Sequence, residues 1–199
     1  MLTILLAAMM LGQGEVVSPP TKTYTPDKTR VAILPVLNTS GEKWKELRVR
    51  QEKAAATWLT ETFTTRGFVL VPAEQVTAAV KDLKLDFLDE EVVNRANILK
   101  VGAAVKADLV ELTILTDTRQ DGSGFGQSGY GVAELKSWLL DVKAESPIFS
   151  ARSATARSAR ASFKTSDRQV WAVPLALSDT FKEFLLAYPE VKGKVGSGG

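Results

Sequence analysis

Arg30–Asn38, RVAILPVLN, read with Ala107–Asp117, ADLVELTILTD, decides the fold of this chain. Each is a short apolar run bounded by polar or turn-forming residues, as a strand buried on both faces would be. Asn38-Thr39-Ser40-Gly41 closes the first run. From Glu42 to Arg66, Trp44, Leu47, Ala55, Trp58, Leu59 and Phe63 then recur mainly on one helical face, so both tryptophans read as core. Gly67 stands at the C′ position of that helix. Phe68–Val71 is a second short strand, and Pro72 opens a helix carrying Val76, Val80 and Leu83. Asp89, with Glu90 and Glu91 behind it, caps a third helix running to about Val105, and Leu109–Thr116 is the next strand. Strand–helix–strand units with helices of crossover length predict an α/β domain, a mixed sheet with helices packed on it.

Composition narrows the chemistry. The 199 residues, 45% of them hydrophobic, suit one domain, expected over residues 30–188. Lys and Arg number 25 against 23 Asp and Glu, a net charge of +2 that offers no general pull toward nucleic acid or anionic lipid. The chain has no Cys and no His. Disulfides, thiolate metal sites, a Cys nucleophile and the usual neutral-pH base are therefore excluded, and no metal site is expected.

Leu2–Leu11, LTILLAAMML, has the length of a signal-peptide core, and Gly12, Gln13 and Gly14 suit a cleavage site, so residues 1–14 are expected to be an export leader. No Lys or Arg precedes the apolar run, an atypical feature for a leader, and a buried amino-terminal strand is the competing reading. At ten residues the run falls short of the roughly 20 that span a bilayer as a helix, so no stable transmembrane anchor is expected in the mature chain. Glu15–Thr29 holds three prolines and little apolar periodicity, and reads as an extended linker. Residues 189–199 read as a disordered tail. Before that tail, Val170–Ala187 places Trp171, Leu175, Phe181 and Leu185 near one face of a closing helix.

Gly124-Phe125-Gly126-Gln127-Ser128-Gly129 fits the G-x-G-x-x-G phosphate fingerprint, and Val132, Leu135, Leu139 and Val142 follow at helical spacing. That pattern would make a dinucleotide-binding oxidoreductase. Against it stand the residues separating strand from glycines and the lack of an acid ending the next strand. The other reading is a long hairpin in which Leu109–Asp117 pairs with Gly131–Ala144 and the glycines form its tip. A further strand then begins at Ile148 and carries Arg152, Arg157 and Arg160. The hairpin reading implies no cofactor.

VAILPVLN, the Gly-terminated long helix, VKADLVELTI, the glycine-rich hairpin and DVKAESPIFSAR together resemble a domain shared by three groups. These are the curli-assembly secretion-channel family, the amino-terminal domain of TolB and the LpoB-type activators of peptidoglycan synthases. The pattern D-x-x-T-G-x-I-x-W-S-A common there is matched at Asp141, Ser150 and Ala151, with Ile148 one position past the pattern's Ile, while its Thr-Gly and Trp positions differ. The resemblance implies an α/β domain of the bacterial envelope without catalytic residues, spanning Arg30–Ala187. A noncatalytic, exported module that binds a protein partner or assembles with itself is the expectation, periplasmic or outer-membrane associated. The alternative is a subunit of a curli-type outer-membrane channel. Phe125 and Tyr130, aromatics near flexible glycines, are the candidate partner contacts, with Arg152 and Arg157 as a weaker, salt-sensitive pair.

Overall fold

The computed structural model describes residues 23–89, 91–122, 129–160 and 167–191. The strands are β1 (Arg30–Ile33), β2 (Leu37–Asn38), β3 (Val69–Leu70), β4 (Leu109–Asp121), β5 (Tyr130–Asp141) and β6 (Ser146–Arg157). The helices are α1 (Lys45–Thr65), α2 (Ala73–Asp82), α3 (Arg95–Ala104), α4 (Arg168–Thr180) and α5 (Lys182–Ala187). One sheet runs β3-β1-β4-β5-β6, with β2 also paired to β4. β1 lies parallel to β3 and β4, whereas β4, β5 and β6 are antiparallel. This is the expected mixed α/β sheet with helices packed on it.

Alternation along the strands builds two cores. Val31, Leu109, Leu115, Leu135 and Leu139 face Ala55, Leu59 and Phe63 of α1 and Ala172, Val173, Ala176 and Leu177 of α4. Ala32, Leu34, Val110, Leu112, Ile114, Trp138 and Leu140 face Val76 of α2 and Ile98 and Val101 of α3. Each fully buried Leu or Phe contributes about 1.5–3 kcal/mol by leaving water, so β4 and β5, apolar on both faces, are the centre of the domain. The helical spacing of Val132, Leu135 and Leu139 gives way to that double burial: residues 130–141 are a strand paired with β4 from Leu109↔Asp141 to Asp121↔Tyr130. A phosphate fingerprint needs a helix after its glycines, and a strand stands there instead, which removes the dinucleotide reading. The glycines themselves, at 124, 126 and 129, fall partly outside the described residues, so the expected tip is not described.

Three expectations are corrected. Trp44 is 69% exposed and sits at the N-cap position of α1, which begins at Lys45, so only Trp58 packs inward, edge-on to Phe181 at 5.4 Å. Asp89 does not cap α3. Asn94 does, its side chain accepting the Asn97 N–H at 3.0 Å, and Asp89 instead accepts the Glu91 N–H in the preceding turn. The closing segment is two helices rather than one, and Trp171 and Leu175 point outward at 46% and 47% exposure. Its buried stripe is Ala172, Val173, Ala176, Leu177 and Thr180, one position round the helix; the small alanines let the backbone approach the sheet.

Packing also extends upstream of Arg30. Tyr24 is buried, its hydroxyl donating to Asp141 Oδ2 at 2.7 Å and its N–H donating to the Tyr188 hydroxyl at 2.9 Å. It joins an aromatic cluster of Phe63, Phe68, Phe181, Phe184 and Tyr188. At the other end of the described chain, the Val191 N–H donates to the Thr65 carbonyl. Gly67, as expected at C′, adopts φ +82°, the left-handed region that favours glycine.

Candidate partner-binding surface

A β-bulge between Leu115 and Asp117 resets the alternation of β4. Before it, odd-numbered residues face α1 and α4; after it, Thr118 and Gln120 take that side. Gln120 Oε1 accepts from Arg168 at 3.1 Å, and its Nε2 donates to Gln169 at 3.3 Å, both on α4. Asp117, Arg119 and Asp121 turn to the other face, where the apolar cluster beneath α2 and α3 ends at Ile114 and Trp138. Pairing aligns them with Glu134, Val132 and Tyr130 on β5, and Glu134 and Val132 with Thr155 and Arg157 on β6. The far half of the three long strands therefore presents a mixed-charge ladder around a buried Val132. Arg119 pairs with Asp117 along the strand.

Tyr130 belongs to this ladder. Its hydroxyl donates to Asp121 Oδ2 at 3.3 Å, and the Arg157 guanidinium lies 4.9 Å from its ring centroid. Such a stacked pair holds both groups in one orientation and contributes about 0.5–1 kcal/mol at an exposed site. Arg152 is not with them. It pairs with Ser137 on the opposite face and makes a two-pronged ion pair with Glu183 of α5. Bonding to Arg152 holds the Glu183 carboxyl below its ordinary range. Phe125 lies outside the described residues. Of the four residues singled out, the structure thus joins Tyr130 and Arg157 and separates Arg152.

β6 is the outermost strand, and its twelve residues pair only inward, with β5, among the described residues. Edge strands offer unpaired N–H and C=O groups to another chain unless something blunts them. Here Pro147 and the register shifts near Leu139 interrupt the first half, and Ala151 adopts φ +49°. From Arg152 to Arg157 the edge is regular.

The inner face of the same strands carries a buried charge-bearing group. Glu111 is fully buried on β4, and its Oε1 accepts from the Thr113 hydroxyl, which in turn meets Ser137 Oγ at 2.8 Å. Oε2 has no hydrogen-bond partner among the described residues. Burial pushes the carboxyl up to about 8, against the smaller opposing effect of Thr113. At neutral pH this group is mostly a protonated, uncharged acid. Among the described residues no cluster of three or more acidic side chains is placed to hold a metal ion, and no helix is long and apolar enough to cross a membrane.

No protein-family model matches the chain, and no curated protein does. Solved structures do match. Lipoprotein GNA1162 from Neisseria meningitidis is similar over 79% of this chain and 99% of its own, at 16% identity and a TM-score of 0.51. The two chains share a fold. The LpoB C-terminal domain from Salmonella enterica is similar over 67% of this chain and 84% of that one, at 15% identity and a TM-score of 0.43. PelC from Paraburkholderia phytofirmans, solved as a dodecamer, is similar over 78% and 87%, at 12% identity and a TM-score of 0.43. The α/β architecture that the sequence resemblance implies is the one found, and an LpoB domain is among the similar structures.

Proposed function

We propose that this protein is a noncatalytic binding or assembly module of the bacterial cell envelope, exported and engaging a protein partner or a second copy of itself. The observation that carries the reading is the regular outer edge of β6 at Arg152–Arg157, flanked by the Tyr130–Arg157 stack. An extended segment added there gains main-chain hydrogen bonds from the edge and side-chain contacts from the neighbouring face. Tyr and Arg are the residue types that contribute most when a partner desolvates them. The fold shared with a neisserial lipoprotein supports the envelope location. Arg152, held by Glu183, adds a lesser, salt-sensitive contribution.

The test is capture from an envelope extract by the purified chain, with sedimentation velocity run alongside to read self-association. Tyr130→Ser with Arg157→Ser is expected to weaken capture or self-association at least tenfold while leaving the thermal midpoint within about 2 °C. Full retention of both binding readouts by the double variant would refute this surface. Sequencing the amino terminus of the mature protein from the periplasmic fraction tests export: a start near Glu15 is expected, and recovery of Met1 from cytoplasm alone would refute it.

A further inference from the structure

On the face that packs α2 and α3, a cleft of about 260 Å³ crosses the sheet toward β6. Its walls are apolar: Phe87 and Leu88 from the loop between α2 and α3, Ile114 of β4 and Trp138 of β5. Leu88 is 59% exposed and borders the cleft, so a docked apolar group would cover it. Two polar groups interrupt these walls. Thr116, at the bulge of β4, has a solvent-shielded hydroxyl with no hydrogen-bond partner among the described residues, an unfavourable state for a buried polar group. Lys136 of β5 is exposed and makes no ion pair with any described residue, and no carboxylate is among the described residues lining the cleft.

We propose that this cleft is a peptide-docking site for a partner segment in which an apolar side chain stands next to a carboxylate. The proposal rests on the protein-binding reading above and names the chemistry of the partner. The apolar side chain covers Leu88 and Trp138, the carboxylate meets the Lys136 ammonium, and the Thr116 hydroxyl donates a hydrogen bond to an acceptor on the same segment. Charge complementarity selects an acidic segment, because the unpaired charge on the cleft is positive. Size selects a side chain or two over a whole cofactor or a drug-sized molecule, whose sites begin near 300 Å³. Ala151 of β6 also lines the cleft, so the same segment can continue along the neighbouring strand edge.

A random peptide library displayed on phage, selected against the full chain, supplies the probe. Selected peptides are expected to be enriched in Leu, Ile or Phe beside Asp or Glu. One of them, labelled with fluorescein, is then titrated by anisotropy. Lys136→Glu and Leu88→Ser are each expected to weaken it about tenfold or more with the thermal midpoint unchanged, and exchanging the peptide's acid for Lys should restore binding to Lys136→Glu. Selected peptides that ignore both substitutions would overturn the cleft while leaving the protein-binding reading intact. Failure to select any peptide, or displacement of the Lys136 and Leu88 side-chain NMR signals by lauric acid and by no peptide, would overturn it as well; loss of envelope capture by the Tyr130 and Arg157 variant remains a separate readout of the broader reading.

Discussion

Replacing Glu111 with Gln should abolish a decline in stability that the wild-type protein shows between mildly acidic and mildly alkaline pH. The carboxyl titrates near 8 when folded, against an ordinary value of 4.5. Between those two values the unfolded chain is ionised while the folded one stays protonated, so folding takes up a proton. The sign follows: the contribution is fully present below pH 4.5, is lost as pH rises, and levels off above pH 8. Each pH unit in the window removes about 1.4 kcal/mol, which comes to roughly 3 kcal/mol at pH 7 and about 5 kcal/mol at the plateau. The chain holds no His and no Cys, so few other groups titrate there. Urea melts followed by tryptophan fluorescence at pH 5, 6, 7, 8 and 9 measure it. Wild type should lose stability across the window, Glu111→Gln should stay nearly level, and the two curves should diverge by several kcal/mol toward pH 8. Parallel profiles would refute the reasoning, as would a wild-type protein that grows more stable from pH 5 to 8.

Other substitutions probe the packing that positions the surface. A Cβ at Gly131 would overlap the Arg168 backbone carbonyl, so Gly131→Ala should destabilise by about 1–3 kcal/mol or prevent folding, read by thermal melting. Tyr24→Phe removes the buried donor to Asp141 and should cost about 1–2 kcal/mol in the same assay, whereas a residue in a true linker would give no change. Arg152→Ala breaks the partly exposed pair with Glu183 and should cost under about 1 kcal/mol, with the difference shrinking in 1 M NaCl.

What could be read in advance depended on whether one element alone carried the signal. β1 and β4 are legible because both faces are buried and their apolar runs need no partner to be recognised. α4 is less so: Trp171 and Leu175 promise the stronger hydrophobic face, but the sheet accepts the alanine face because its helix axis can then lie closer. Arg152 and Arg157 are five residues apart, an odd interval that places them on opposite faces of a regular strand, a signal present in the sequence once the strand is known. The bulge at Leu115/Asp117 has no comparable mark, and without it the outward side of Asp117, Arg119 and Asp121 cannot be assigned. The cleft was invisible for a different reason, since Leu88, Thr116 and Lys136 come from three separate elements and meet only in the folded chain.

The fastening of Tyr24 against Asp141 and Tyr188 also sets a standoff. Pro26 and Val191 both lie within 4 Å of where a Gly67 side chain would start, so the two ends of the described chain emerge at one pole of the domain. The ladder carrying Tyr130 and Arg157 is at the opposite pole, twelve steps along β4 from Leu109 to Asp121, or about 40 Å at roughly 3.3 Å per residue. A pull applied at Tyr24 is thus borne first by buried aromatic rings and one hydrogen-bonded carboxylate, at the end of the sheet farthest from Tyr130 and Arg157.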